Sequence, residues 1–93
     1  MYNREDYFKA LKERDNCKMY SKEWNLCQMK ISCIATAMVA SGDTWMVSEF
    51  INELYSLNDS GCRLMDKEVQ FDLWVLESNG YEEEAKELRE LFE

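Results

Sequence analysis

The chain of 93 residues contains no histidine and no proline, only three glycines, and no long uncharged stretch. Without histidine it lacks the commonest general base and the commonest metal ligand. Its four cysteines, at positions 17, 27, 33 and 62, form no Cys-x-x-Cys pair, so a zinc site would need all four scattered thiols or thiols mixed with carboxylates. The glycines form no phosphate-cradling loop. The acidic stretch Asn58-Asp59-Ser60-Gly61 lacks the alternating ligands and closing glutamate of a calcium loop. Neither a cofactor, a metal site nor a catalytic constellation is expected, and the chain reads as non-enzymatic.

The longest uncharged run, Ile31 to Gly42, is twelve residues, against roughly 20 for a membrane-crossing helix. The first residues, Met1-Tyr2-Asn3-Arg4-Glu5-Asp6, lack the apolar core of a secretory signal. A cytoplasmic protein with no membrane segment is the expectation. In a reducing compartment the four thiols stay free. Cys27, Cys33 and Cys62 fall on apolar helix faces and are expected to be buried, with Cys17 the exposed one.

What is present is helical pattern. Hydrophobic residues make up 46% of the chain and twelve are aromatic, enough for one modest core and one domain over residues 1–93. Asn3 and Asp6 resemble a capping box ahead of Tyr7, Phe8 and Leu11, placing a first helix from Arg4 to about Arg14. From Ser21, residues Trp24, Cys27, Ile31, Ile34 and Met38 recur at spacings of three and four. Beyond Ile31 the only polar side chains before Ser41-Gly42 are Ser32 and Thr36, so this second helix is expected to be covered on every side. A third helix capped by Asp43 or Thr44 buries Met46, Val47, Phe50, Ile51 and Leu54 and leaves Trp45 off its apolar face. A fourth ends at Asn79-Gly80, and a fifth runs from about Tyr81 to Phe92. No period-two alternation signals a strand. The fold class is therefore all-α, a bundle of about five helices around a buried central helix at about residues 21–41.

Two surface features point to partners. Glu83, Glu87 and Glu90 lie within about 60° of one another on the fifth helix, opposite Tyr81, Ala85 and Leu88, with Lys86 and Arg89 on the flank. This acidic stripe is either a solvated face or a surface for a basic protein, including one that normally holds a phosphate backbone. The fourth helix has two apolar faces. Cys62, Met65, Val69, Leu73 and Leu76 make one, and Leu64, Phe71, Trp74 and Val75 make the other. Either the helix is sandwiched within the bundle, or the second face meets another chain or a second copy.

The net charge of −8 is uneven: residues 1–30 carry seven Lys/Arg against five Asp/Glu, and residues 31–93 carry four against fourteen. Most of the surface should repel nucleic acid, although Arg4, Lys9, Lys12, Arg14, Lys18, Lys22 and Lys30 leave a basic patch for a DNA-associated role. The phrase Asn79-Gly80-Tyr81-Glu82-Glu83-Glu84-Ala85 resembles the helical turn of tetratricopeptide-type repeats, but no second copy follows it. In size, acidity and lack of catalytic groups the chain is similar to anti-defence inhibitors encoded by phages and mobile elements, the anti-CRISPR proteins among them. That resemblance, carried by no motif, implies a non-catalytic inhibitor or adaptor docking on a basic partner protein. A homo-oligomeric structural protein is the alternative.

Overall fold

In the computed structural model, which describes residues 1–92, five helices carry the chain: α1 (Arg4–Asp15), α2 (Lys22–Ala40), α3 (Thr44–Asp59), α4 (Asp66–Ser78) and α5 (Glu82–Phe92). No strand occurs among the described residues, and no helix among them is long and apolar enough to cross a membrane. The all-α bundle expected from the sequence is the architecture found.

The boundaries follow from local chemistry. Asn3 accepts a hydrogen bond from the Asp6 amide at 2.9 Å while its own amide donates to the Asp6 carboxylate at 3.0 Å, a complete capping box. Ser21 caps α2 by accepting from the Trp24 amide, and Asp43 caps α3 by accepting from the Met46 amide. At the end of α2 the Asp43 amide donates back to the Met38 carbonyl and the Gly42 amide to the Val39 carbonyl. That closure needs a residue with φ in the left-handed region, and Gly42 supplies it at +91°. Gly80, at +94°, ends α4 in the same way and sets up the antiparallel α4–α5 turn.

One core joins all five helices. Tyr7 and Ala10 of α1, Ile31, Ile34 and Ala35 of α2, Met46, Phe50 and Leu54 of α3, Leu73 and Leu76 of α4, and Ala85 and Leu88 of α5 are buried together. A smaller cluster of Trp24, Leu57 and Cys62 closes one end. The Cys62–Met65 stretch is not helical: α4 starts at Asp66, and Cys62 reaches the interior from the connecting loop.

The molecule is a slab, 34 × 32 × 19 Å. Nineteen ångströms is about two helix diameters, so the helices lie in two layers. This geometry corrects the expectation that α2 is covered on every side. α2 packs on α1, α3 and α4, and Ile31, Ser32, Ile34, Ala35, Thr36, Met38 and Val39 are buried, but Cys33, Ala37 and Ala40 face water. The three helices packed against α2 cover its other sides and leave this one open.

Candidate protein-binding surface

The floor of the α2–α4 contact is polar. Gln28 Nε2 donates to Glu68 Oε2 at 3.0 Å, and one turn on, Ser32 Oγ donates to Asp72 Oδ1. Both pairs are separated by 40 residues, so α2 and α4 run parallel and in constant register. The row continues behind α2. The Arg14 guanidinium donates to Gln28 Oε1 at 2.7 Å and pairs with Glu53 at 2.8 Å and with Asp15 at 3.0 Å. A relay from Glu53 through Arg14 and Gln28 to Glu68 thus ties α3, α1, α2 and α4 together.

Burial dominates the electrostatics here. It works to lower the Arg14 pKa, but the Glu53 and Asp15 carboxylates outweigh it and leave the guanidinium's pKa raised. Burial lifts the Glu68 carboxyl above its usual range, against the Gln28 hydrogen bond and the Arg14 charge. Asp72 is pushed up to about 7, first by burial and then by Glu68, with the Ser32 hydroxyl opposing. Its Oδ2 is buried and finds no hydrogen-bond partner among the described residues.

Above this floor lies an exposed apolar face. Phe71 directly precedes Asp72 and Cys33 directly follows Ser32. At about 100° per residue both step from the seam toward the side away from the core. Phe71 and Trp74 are 46% and 59% exposed, with ring centroids 6.3 Å apart. On α2 the same side carries Leu26 and Met29, 57% and 50% exposed, followed by Cys33, Ala37 and Ala40. The constant register sets Phe71 beside Met29 and Cys33, so the two rows form one surface.

Only half of the second α4 face proposed from the sequence is therefore a surface. Val75 is buried, because its position on the helix turns toward α2 between Asp72 and Phe71. Leu64 sits in the loop before α4, half-buried against both apolar clusters. The row on α2, which completes the face, was missed by reading that helix as wholly interior. Its spacing of three and four from Leu26 to Ala40 was the available signal.

The acidic stripe is placed as expected. Glu83, Glu87 and Glu90 are exposed together on the outer side of α5, and Glu87 accepts a 3.3 Å hydrogen bond from Tyr55 of α3. Arg89 does not flank the stripe. It turns inward to Gln70 and Glu77 of α4, which leaves Lys86 as the cation on the outer side of α5.

The basic patch is smaller than the sequence implies. Arg14 is buried, and Arg4 pairs with Asp43 at 3.1 Å while its guanidinium lies 4.3 Å from the Trp45 ring centre. That stacking, with Phe8 edge-on to the same ring, accounts for Trp45 outside the core. The four thiols are free, but Cys33 is the exposed one, Cys62 is buried, and Cys17 and Cys27 are half-buried. Cys17 is held at the end of α1, its thiol donating to the Glu13 carbonyl. Among the described residues no group of three or more metal-ligating side chains converges.

Comparison with known proteins gives no match: no protein family, no curated protein and no solved structure resembles this chain.

Proposed function

We infer that the chain is a non-catalytic protein-binding module, an inhibitor or adaptor, that docks through the outer face of α2 and α4. The observation that carries this reading is the joint exposure of Phe71 and Trp74 on a small acidic protein, alongside a second apolar row on α2. Large aromatics anchor protein interfaces, and a contiguous apolar surface of this kind is what a partner covers. The exposed carboxylates of α5 supply a second, salt-sensitive surface for a basic partner. Four free thiols fit a reducing, cytoplasmic setting.

Affinity capture from host lysate, washed at low and at high salt, tests the reading with three baits. The double substitution Phe71→Ala/Trp74→Ala should reduce the retained partner by about tenfold or more. Its thermal unfolding should shift by no more than a few degrees, because both rings lie outside the core. Replacing Glu83, Glu87 and Glu90 by Gln should affect only the fraction that high salt also removes. Full retention by the double variant at both salt concentrations contradicts the reading.

A further inference from the structure

We propose that Cys17 and Cys27 form a reversible redox site, in which a low-molecular-weight disulfide of the glutathione type converts the two thiols into one bond that pins the connection between α1 and α2. Neither thiol belongs to the docking surface described above.

The fold brings the pair together. α1 and α2 form an antiparallel hairpin: Arg14 Nη1 donates to Gln28 Oε1 at 2.7 Å, and nearer the start of the chain Asp6 and Lys9 share a hollow with Lys30 and Ile34. That register sets Cys17, just past Arg14, opposite the turn of α2 that precedes Gln28. Trp24 and Cys27 share one face of this turn at helical spacing, and Cys17 packs against the cluster that Trp24 belongs to. Among side chains the Cys27 thiol acts most strongly on the Cys17 thiol, as a neighbouring charge and as a hydrogen-bond partner. Both thiols are half-buried, open on one side to a small oxidant in solution.

The connection that the bond would close is strained. Tyr20 holds φ at +68°, in the left-handed region that residues other than glycine rarely adopt. Contacts from several directions keep it there: Asn25 Nδ2 donates to its carbonyl at 3.3 Å, its hydroxyl accepts from the Arg63 amide at 2.7 Å, and its ring lies edge-on to Trp24 at 5.5 Å. In the reduced protein these surface contacts alone clasp the connection onto α2 and the loop after α3. A Cys17–Cys27 bond encloses Tyr20 in a short covalent ring and stops the clasp from peeling away.

The exchange balances. One cysteine thiolate attacks a sulfur of the oxidant and expels the first small thiolate, giving a mixed disulfide. The second cysteine thiolate attacks the protein sulfur of that intermediate and expels the other. Both cysteine protons end on the two small thiols released, and the oxidant's disulfide takes up the two electrons that the cysteines lose. Burial raises the Cys17 pKa first, then Cys27, with the Glu23 and Glu13 carboxylates adding to the effect. Cys17 therefore rests protonated at neutral pH, and the exchange is slow without excess oxidant. Cys62 borders the same cluster but is 3% exposed, which shields it from a reagent in solution.

The test uses the full chain carrying Cys33→Ser, which removes the exposed thiol. The protein is equilibrated with oxidised glutathione, acid-quenched, and mapped by mass spectrometry. It should lose two hydrogens, retain no glutathione, yield a peptide linked through Cys17 and Cys27, and return to the dithiol in excess reduced glutathione. The oxidised form should melt about 5–10 °C higher than the reduced form. Adding Cys27→Ser should abolish both the bond and the gain in melting temperature. Glutathione retained on both Cys17 and Cys27, a bond from either of them to Cys62, or an oxidised form that melts no higher overturns the proposal. So does a bond that persists in excess reduced glutathione, because the pair is then a permanent crosslink.

Discussion

Arg14→Ala is expected to lower the free energy of unfolding by about 3–5 kcal/mol, the usual cost of breaking a buried ion pair from one side. The guanidinium is 5% exposed and serves Glu53, Gln28 and Asp15 at once. Removing it strands the Glu53 carboxylate, whose side chain is 15% exposed, and takes from Gln28 Oε1 its 2.7 Å donor. Against a total stability of roughly 5–15 kcal/mol for a domain of ordinary stability, the loss is about a fifth or more. The penalty comes from the stranded partners rather than from the charge itself. Arg14→Met with Glu53→Gln should therefore recover part of it, since the pair is then removed together. Urea unfolding followed by circular dichroism at pH 7 measures both. A loss below about 1 kcal/mol for Arg14→Ala would show that the relay does not tie the helices together.

Asp72→Asn should act in the opposite direction. The folded pKa of about 7 lies above the 3.8 of an unperturbed aspartate, so the folded state holds the proton more tightly than the unfolded state does. The resulting stabilisation is complete below the unfolded pKa and drains away as pH rises through 4 to 7. Above 7 the protein carries a buried carboxylate with one oxygen unpartnered. Asparagine keeps an oxygen for the Ser32 hydroxyl and removes the charge. At pH 8 the variant should be more stable by about 2 kcal/mol, and the difference from wild type should vanish toward pH 4. Thermal melts at pH 4, 6 and 8 read this as a gap of roughly 8–16 °C that opens with pH. A pH-independent difference would mean that the group titrates in its ordinary range.

Much of the backbone was legible in the sequence because its signals are local. Asn3, Ser21 and Asp43 cap the three helices they precede, and Gly42 and Gly80 close α2 and α4, through bonds spanning a few residues. Three features were not legible, each for a physical reason. A run of apolar side chains from Ile31 to Ala40 reports what α2 tolerates on each side, whereas which sides are covered depends on where α1, α3 and α4 pack. The two faces of α4 carry similar residues, so composition does not say which is covered; Val75 and Trp74 exchange roles according to where α2 lies. Arg14, Gln28 and Asp72 are polar by type and buried by pairing with residues far along the chain. Ser32 and Thr36, one turn apart in an apolar segment, and Asp72 between Phe71 and Leu73, were the traces of that seam. Thr36 Oγ1 donates to the Ser32 carbonyl at 2.7 Å, so its hydroxyl is satisfied within the helix.

The shared exposure of Glu83, Glu87 and Glu90 was legible, because it needs only the helical period, whereas the turn of Arg89 inward to Gln70 and Glu77 depends on where α4 lies. The apolar surface was legible in part. Phe71 and Trp74 follow from period and size, but joining them to Cys33 and Met29 requires the parallel α2–α4 register, which only the Gln28–Glu68 and Ser32–Asp72 pairs reveal.

That α2 is buried on three sides and open on the fourth is the claim on which the binding surface depends, and maleimide labelling of the native protein tests it most directly. Cys33 should react rapidly and Cys62 only after unfolding, as peptide mapping of the labelled sites would show. Native protection of Cys33 equal to that of Cys62 would mean that the outer face of α2 is already covered, and the proposed surface would not exist.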